Sequence, residues 1–252
     1  MPRRREPPLL VVNHSGWVTT TIPVREIQDA ANRQVQHFAA AWGADTWAVT
    51  RALRQQGFRI VLLDNTDEAD ALAYHDVSPT GKPYASVFVQ DILDHEGTWT
   101  EGPNSVSAAV SHEILETLAD PACNRYVDGF DGYLYALEIV DPTEADSYDI
   151  DGIAVSNFVH PDYFNPWASR EHGARFDQRE LIAEPFAVQP GGYVLRHRGR
   201  ADKTKWGKQY PKWRRKMKTT MPHRRTRARL LELERLTRGR AAAPAEHRAK
   251  RR

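Results

Sequence analysis

The chain has 252 residues, 40% of them hydrophobic and 27% charged, which is enough for one domain with an apolar core and an appendage. No apolar run approaches the roughly 20 residues of a membrane span, and the apolar run behind the basic N-terminus is too short for a secretory signal. The one cysteine, Cys123, excludes an internal disulfide and fits a reducing compartment. We therefore expect a cytoplasmic protein without a signal peptide, a transmembrane segment or a membrane partner.

The net charge of +2 hides an uneven distribution along the chain. Residues 1–195 carry 13 Lys+Arg against 29 Asp+Glu, a net charge of −16, whereas residues 196–252 carry 22 against 4, a net charge of +18. Such a separation is typical of an interaction tail attached to a folded body. We therefore predict a folded domain over residues 1–195 and a basic, largely extended or disordered tail over residues 196–252, with room for a short helix at Ala228–Thr237.

Strands and a helix are predicted to alternate in the first part of the chain. Runs rich in β-branched residues predict strands at Leu9–Val12 and Val18–Val24, and a continuous apolar run predicts a buried strand at Phe58–Asp64. Apolar residues at helical spacing predict a helix over Arg25–Trp42, which Gly43 ends. This order of elements indicates a fold with both helices and strands.

Turn residues and apolar alternation organise the middle of the chain. A loop with a tight turn is predicted over Tyr74–Pro83, followed by a half-exposed strand over Tyr84–Ile92 that would form the edge of the sheet. Further on, Asp-Gly pairs predict turns before a strand at Tyr133–Val140 and within a hairpin over Ser147–Asn157.

The stretch Ser107–Pro121, between these strands, carries the pattern H-E-x-x-E, formed by His112, Glu113 and Glu116 in an apolar run. Residues i and i+4 share one face of a helix, so His112 and Glu116 can hold one metal ion while Glu113 activates a bound water. This is the spacing of the zincin helix H-E-x-x-H, with a carboxylate in place of the second imidazole. Chance predicts only about 0.04 such patterns in a chain of this composition. The alternative interpretation is a helix with a solvated, charged edge.

Further metal ligands are expected from the downstream sequence LEIVDP, which contains Glu138 and Asp141. Residues three apart in a regular strand face opposite sides, but a turn at Asp141-Pro142 would break that alternation, so either residue or both remain candidates. Zinc is the expected ion. Another divalent ion is the alternative, since several carboxylates around one histidine favour harder cations.

The basic tail interleaves aromatic with cationic side chains. This pattern suits phosphate backbones and stacked bases, and it also suits an acidic protein surface. Nucleic acid or an acidic protein surface is therefore the partner expected for the tail. The predicted contact residues are Lys203, Lys205, Trp206, Lys208, Lys212, Trp213, Arg214 and Arg215.

Three segments resemble a family of largely uncharacterised bacterial and bacteriophage proteins with a zincin-like H-E-x-x-E site: ALAYHDVSPTGKPYASVFV, SVSAAVSHEILETLADPACNRY and YALEIVDPTEADSYDIDGIAVSNFVHPDYFNPWA. The resemblance covers roughly residues 9–167, and the basic tail lies outside it. It implies a zincin-like α/β fold and metal binding, without naming a substrate. The residues that match the motif and the downstream E-x-x-D-P element are His112, Glu113, Glu116, Glu138 and Asp141.

Two hypotheses of function follow. In the first, the chain is a zinc-dependent hydrolase of zincin type, acting on peptides, with Glu113 as general base and with His112, Glu116 and one or both of Glu138 and Asp141 as metal ligands. In the second, it is a structural or interaction protein of a phage virion, built on a zincin-like scaffold with a non-catalytic metal site. Either hypothesis predicts a mixed α/β (α+β) fold with an active-site helix, a hairpin-rich C-terminal subdomain and a basic tail. The second one adds the virion as a location.

Overall fold

The computed structural model describes residues 9–17, 23–43, 45–66, 71–198 and 201–210. This part of the chain has a mixed α/β fold, as the sequence predicts. None of the helices within it is long and apolar enough to cross a membrane. The helices are Val24–Trp42 (α1), Asp45–Gln55 (α2), Val89–Asp94 (α3) and Val106–Ala119 (α4).

The first half of the chain forms a four-stranded sheet with the order β1-β2-β4-β3. Its strands are Leu10–Asn13 (β1), Arg59–Leu63 (β2), Ala73–Val77 (β3) and Pro83–Phe88 (β4). Strands β1, β2 and β4 run parallel, whereas β3 pairs antiparallel with β4 and lies at the edge. Helix α1 packs against β1 and against α2 and α4, so helices cover the parallel strands as the βα order requires.

Helix α4 lies at the centre of the fold, where it contacts α1, β3, β4 and the strand Ile153–Ser156 (β8). The Ser105 hydroxyl caps its first turn by accepting a hydrogen bond from the Ala108 amide at 3.1 Å. Twelve of its fourteen residues are buried, because its apolar residues are spread around the helix and other elements surround it. The charged side chains of this helix are therefore carried into the protein interior.

The second half of the chain forms a hairpin and an antiparallel sheet. The hairpin pairs Ser147–Ile150 (β7) with β8, and both turn residues, Asp151 and Gly152, have positive φ, as a type I′ turn requires. The sheet has the order β10-β9-β6-β5. Its strands are Tyr126–Asp128 (β5), Leu134–Ala136 (β6), Tyr193–Arg198 (β9) and Ala201–Trp206 (β10). Apolar side chains from both halves of the chain form one continuous core.

Several predicted elements are confirmed. Strands β1 and β2, helix α1 and the β7–β8 hairpin lie within one residue of their predicted ends. Gly43 ends α1 with a φ of 92°, and its amide donates a hydrogen bond to the Ala39 carbonyl. Most of the predicted strand Val18–Val24 is not tested, because residues 18–22 lie outside the described part of the chain. Its last residue, Val24, is the first residue of α1.

Two predictions beside the first sheet are wrong. The segment Tyr74–Pro83, predicted as a loop, contains most of strand β3. The predicted strand Tyr84–Ile92 ends at Phe88, and α3 follows because Val89 and Ile92 are both buried one helical turn apart. As a result the edge of the sheet is β3, while β4 lies inside it between β2 and β3.

The predicted strand Tyr133–Val140 is also too long. Strand β6 ends at Ala136, and the chain then turns into a short 3₁₀ helix at Asp141–Thr143. The Val140 amide is consequently free of the sheet and donates a hydrogen bond to the Glu116 side chain at 3.2 Å. This turn decides where the downstream acidic residues point.

The second sheet continues past the boundary predicted between residues 195 and 196. Strand β9 crosses that boundary and pairs with β10 as far as Trp206. The alternation of Lys203 and Lys205 with Thr204 is typical of a strand, but the density of basic residues hides it in the sequence. Outside the described residues lie the predicted helix Ala228–Thr237 and the predicted contacts Lys212, Trp213, Arg214 and Arg215.

Candidate metal centre

Histidine and carboxylate side chains from three parts of the chain meet beside α4. Helix α4 contributes three of them, the edge strand β3 contributes one, and the segment after β6 contributes two. Their side chains are only 4% to 12% exposed, so the group lies almost entirely inside the protein. The members of this buried cluster are His75, His112, Glu113, Glu116, Glu138 and Asp141.

One group of potential ligands in the buried cluster is formed by His112, Glu116 and Asp141. The Nε2 atom of His112 lies 3.1 Å from Glu116 Oε2 and 3.5 Å from Asp141 Oδ1. Zinc binds nitrogen and oxygen at about 2.0–2.1 Å in tetrahedral geometry, which separates neighbouring ligand atoms by about 3.3 Å. The three side chains are therefore spaced as ligands of a single ion are spaced.

A second group is formed by His75, Glu113 and Glu116. The Nδ1 atom of His75 lies 3.0 Å from Glu113 Oε2 and 3.5 Å from Glu116 Oε2. On the other side of the ring, Nε2 lies 3.7 Å from Glu138 Oε2, which is beyond hydrogen-bond distance. This buried Nε2 makes no hydrogen bond with any residue that the structure describes.

Electrostatic contacts shift the pKa values inside the buried cluster. Burial lowers the pKa of His112, but the carboxylates of Glu116, Asp141 and Glu113 together raise that pKa well above its usual value. Burial also lowers the pKa of His75, while Cys123 and Glu113 raise it well above its usual value. Burial raises the pKa of Glu116, yet His112 and His75 lower it to about 2. These shifts have one physical cause, the close contact of the two imidazoles with the carboxylates around them.

The five residues that the sequence predicts for this site all belong to the buried cluster. Glu138 and Asp141 both reach it because the chain leaves the strand after Ala136, so Glu138 approaches His75 while Asp141 approaches His112. The sequence leaves open which of these two acidic residues reaches the site. The structure brings both of them there, each beside a different histidine.

Sequence reasoning missed His75, which it left in a loop without a role. The signal was a hairpin: YHDV and PYASVF flank the turn SPTGK, and the strand that contains His75 pairs with β4 in this way. Cys123, the one cysteine of the chain, is buried beside His75. Its thiol is therefore close to the buried cluster rather than remote from it.

Four of the predicted polyanion-binding residues lie in the described part of the chain: Lys203, Lys205 and Trp206 on β10, and Lys208 just after it. Lys203 is exposed and lies opposite Arg196, whose guanidinium sits 4.1 Å above the ring centroid of Tyr133. Trp206, by contrast, packs against neighbouring aromatic rings, including Tyr210 at 4.6 Å between centroids. Lys208 is exposed, and the Nζ of Lys205 donates a hydrogen bond to the Phe186 carbonyl at 3.0 Å. Cationic side chains are thus presented on this sheet, while its tryptophan is used in packing.

Comparison of the chain with models of known protein families, with curated proteins and with solved structures found no match. The zincin-like character implied by the sequence resemblance stays an expectation.

Proposed function

We propose that the chain is a divalent-metal-dependent hydrolase of zincin type, with His112, Glu116 and Asp141 as the ligands of zinc. The observation that carries this proposal is the spacing of 3.1 Å and 3.5 Å from His112 Nε2 to the two carboxylates. Nitrogen and oxygen donors in this ratio suit zinc, and they also accept harder divalent ions.

The residues around the ion have separate roles in the proposed hydrolysis. When bound, a divalent ion polarises a substrate carbonyl and lowers the pKa of a coordinated water. Glu113 lies one residue from His112 on α4 and would serve as the general base for a water held at the site. The contact of 3.0 Å between His75 Nδ1 and Glu113 Oε2 holds this carboxylate in place.

A peptide is the substrate class that the surroundings of the site favour. His75 belongs to β3, which lies at the edge of its sheet, so one side of this strand has no strand paired with it in the described part of the chain. An extended peptide can pair with such an edge through backbone hydrogen bonds. That pairing would place a peptide carbonyl beside the buried cluster.

A second candidate function is a non-catalytic metal site in a phage virion protein. The observation that favours it is burial: every side chain of the buried cluster is at most 12% exposed, as in sites where an ion only stabilises the fold. In this case the cationic hairpin β9–β10 would contact nucleic acid or an acidic protein surface. Lys203 is exposed in this hairpin, and Lys208 is exposed two residues after its end.

Metal analysis of the full chain tests the proposed site. Purified protein is loaded with zinc, dialysed and analysed by mass spectrometry of the elements, together with His112→Ala and with His172→Ala as a matched control. His172 is an exposed histidine outside the buried cluster. We expect at least one tightly bound equivalent in the wild type and in the control, and a lower content in His112→Ala. A wild-type chain without bound metal, or unchanged metal in His112→Ala, would overturn the proposal.

Peptide cleavage distinguishes the two candidate functions. The zinc-loaded chain is incubated with a mixed peptide library, and the products are read by mass spectrometry. A hydrolase is expected to cleave a subset of the peptides, and Glu113→Gln should reduce the rate by about 100- to 10,000-fold, because the general base is lost. Tight metal binding without any cleavage would instead support the non-catalytic site.

A further inference from the structure

We propose that the buried cluster binds two divalent cations, with Glu116 as the bridging carboxylate. The second ion takes His75, Glu113 and Glu116 as ligands, beside the first ion at His112, Glu116 and Asp141. The inference deepens the proposed function, because it takes the first ion from it.

Glu116 belongs to both groups of potential ligands. Its Oε2 atom lies 3.1 Å from His112 Nε2 and 3.5 Å from His75 Nδ1, so the same oxygen faces both imidazoles. The shortest contact of the second group, 3.0 Å from His75 to Glu113, nearly equals that of the first. Two-metal sites hold their ions about 3.5–4 Å apart, a distance that a shared carboxylate can span.

The burial of the cluster also favours bound cations. Its four carboxylates are between 4% and 7% exposed. Carboxylates grouped in a protein interior are tolerated when cations compensate them, and divalent ions are cations that such ligands bind.

His75 is oriented for a metal on its Nδ1 side. A histidine that ligates through one ring nitrogen carries its proton on the other, and that proton usually faces a carboxylate. The Nε2 atom of His75 is buried without a hydrogen bond in the described residues, and Glu138 Oε2 lies 3.7 Å from it. Glu138 thus lies on the side of the ring that carries the proton, away from the second ion, which takes the Nδ1 side.

The second ion changes the role of Glu113. In the two-ion state Glu113 is a ligand of the second ion and does not act as general base. It acts as general base only in the state with a single ion. The isosteric variant Glu113→Gln separates the two roles, because a lost base leaves the metal content unchanged while a lost ligand reduces it. The amide also preserves the shape of the side chain, so the variant is expected to fold.

The stoichiometry of metal binding tests the proposal. The full chain is titrated with Zn²⁺ and its bound metal is counted, and the same protein loaded with Mn²⁺ is examined by electron paramagnetic resonance. We expect two equivalents and the spectrum of a magnetically coupled pair in the wild type and in His172→Ala. His75→Ala and Glu113→Gln should each retain one equivalent and show an uncoupled spectrum. Circular dichroism of each variant checks that it is folded.

The outcomes distinguish the two-ion centre from the proposed function. One equivalent in the wild type, unchanged in Glu113→Gln, would overturn the second ion and leave the hydrolase proposal standing. No bound metal in the wild type would overturn both. Two equivalents with an uncoupled Mn²⁺ spectrum would place the second ion elsewhere and contradict the role of Glu116 as a bridge.

Discussion

Gly192 connects the second sheet to the candidate metal centre, and replacing it with alanine should weaken metal binding. A Cβ atom at this position would lie 2.4 Å from the Pro142 carbonyl oxygen and 2.9 Å from that of Asp141. The Gly192 carbonyl accepts a hydrogen bond from Gly207, and Pro142 accepts one from Gln189, so both sides of the contact are fixed. The crowding must therefore move the backbone next to the proposed ligand Asp141.

The size of the effect follows from these distances. The contact has to open by at least about 0.6 Å to reach 3.0 Å, whereas ligand distances tolerate only about 0.2 Å. We expect Gly192→Ala to lower the affinity of the ion at Asp141 by about 10- to 100-fold, as changes beside metal ligands do. Overpacking should also lower the free energy of unfolding by about 1–3 kcal/mol.

The assay combines competition against a fluorescent chelator with urea unfolding. Gly129→Ala is a matched control, because its Cβ would lie equally close, at 2.4 Å, to the Tyr135 ring in the β5–β6 turn. The control should lose stability and keep its metal affinity. If Gly192→Ala binds the ion as tightly as the control does, the Asp141 carboxylate is not a ligand and the first site is placed incorrectly.

Three other predictions concern stability and binding. Removing zinc with a chelator should lower the melting temperature of the wild type and have a smaller effect on His112→Ala, because ligand binding stabilises the folded state by mass action; equal shifts in calorimetry would contradict this. Ser111→Ala should cost about 1–3 kcal/mol in urea unfolding, since the buried Ser156 amide loses its acceptor at 2.8 Å; an unchanged midpoint would show that the hydrogen bond is replaced. Lys203→Gln should reduce the salt dependence of DNA binding by about one counterion in fluorescence titrations, and an identical slope would exclude Lys203 from the contact.

Local patterns allowed the core of the candidate site to be predicted. The H-E-x-x-E spacing specifies a helical face by itself, because the positions of His112 and Glu116 depend only on the helical repeat. The Asp151-Gly152 pair likewise specifies its hairpin through the positive φ that both residues adopt. Each of these features is decided within a few residues of sequence.

The parts that the sequence could not supply depend on distant contacts. His75 enters the buried cluster through the pairing of β3 with β4, which the turn between them indicates, and through packing on α4, which nothing near residue 75 encodes. Helix α2 went unpredicted because polar Thr46 and Thr50 occupy buried positions, which weakens its apolar face. Strand β10 was missed because its lysines resemble a solvated tail.

The sequence positions of the buried cluster give metal binding a further consequence, in the topology of the chain. Ions held at residues 75, 112, 116 and 141 would tie together segments that the unfolded chain leaves far apart, closing loops of 37 and 25 residues. A covalent cross-link over loops of this length contributes about 3–4 kcal/mol each by restricting the unfolded chain. Because the chain has one cysteine and hence no internal disulfide, metal ions would act as its reversible cross-links. Assembly of the centre would then come late in folding, because β3, α4 and the segment after β6 must all meet first.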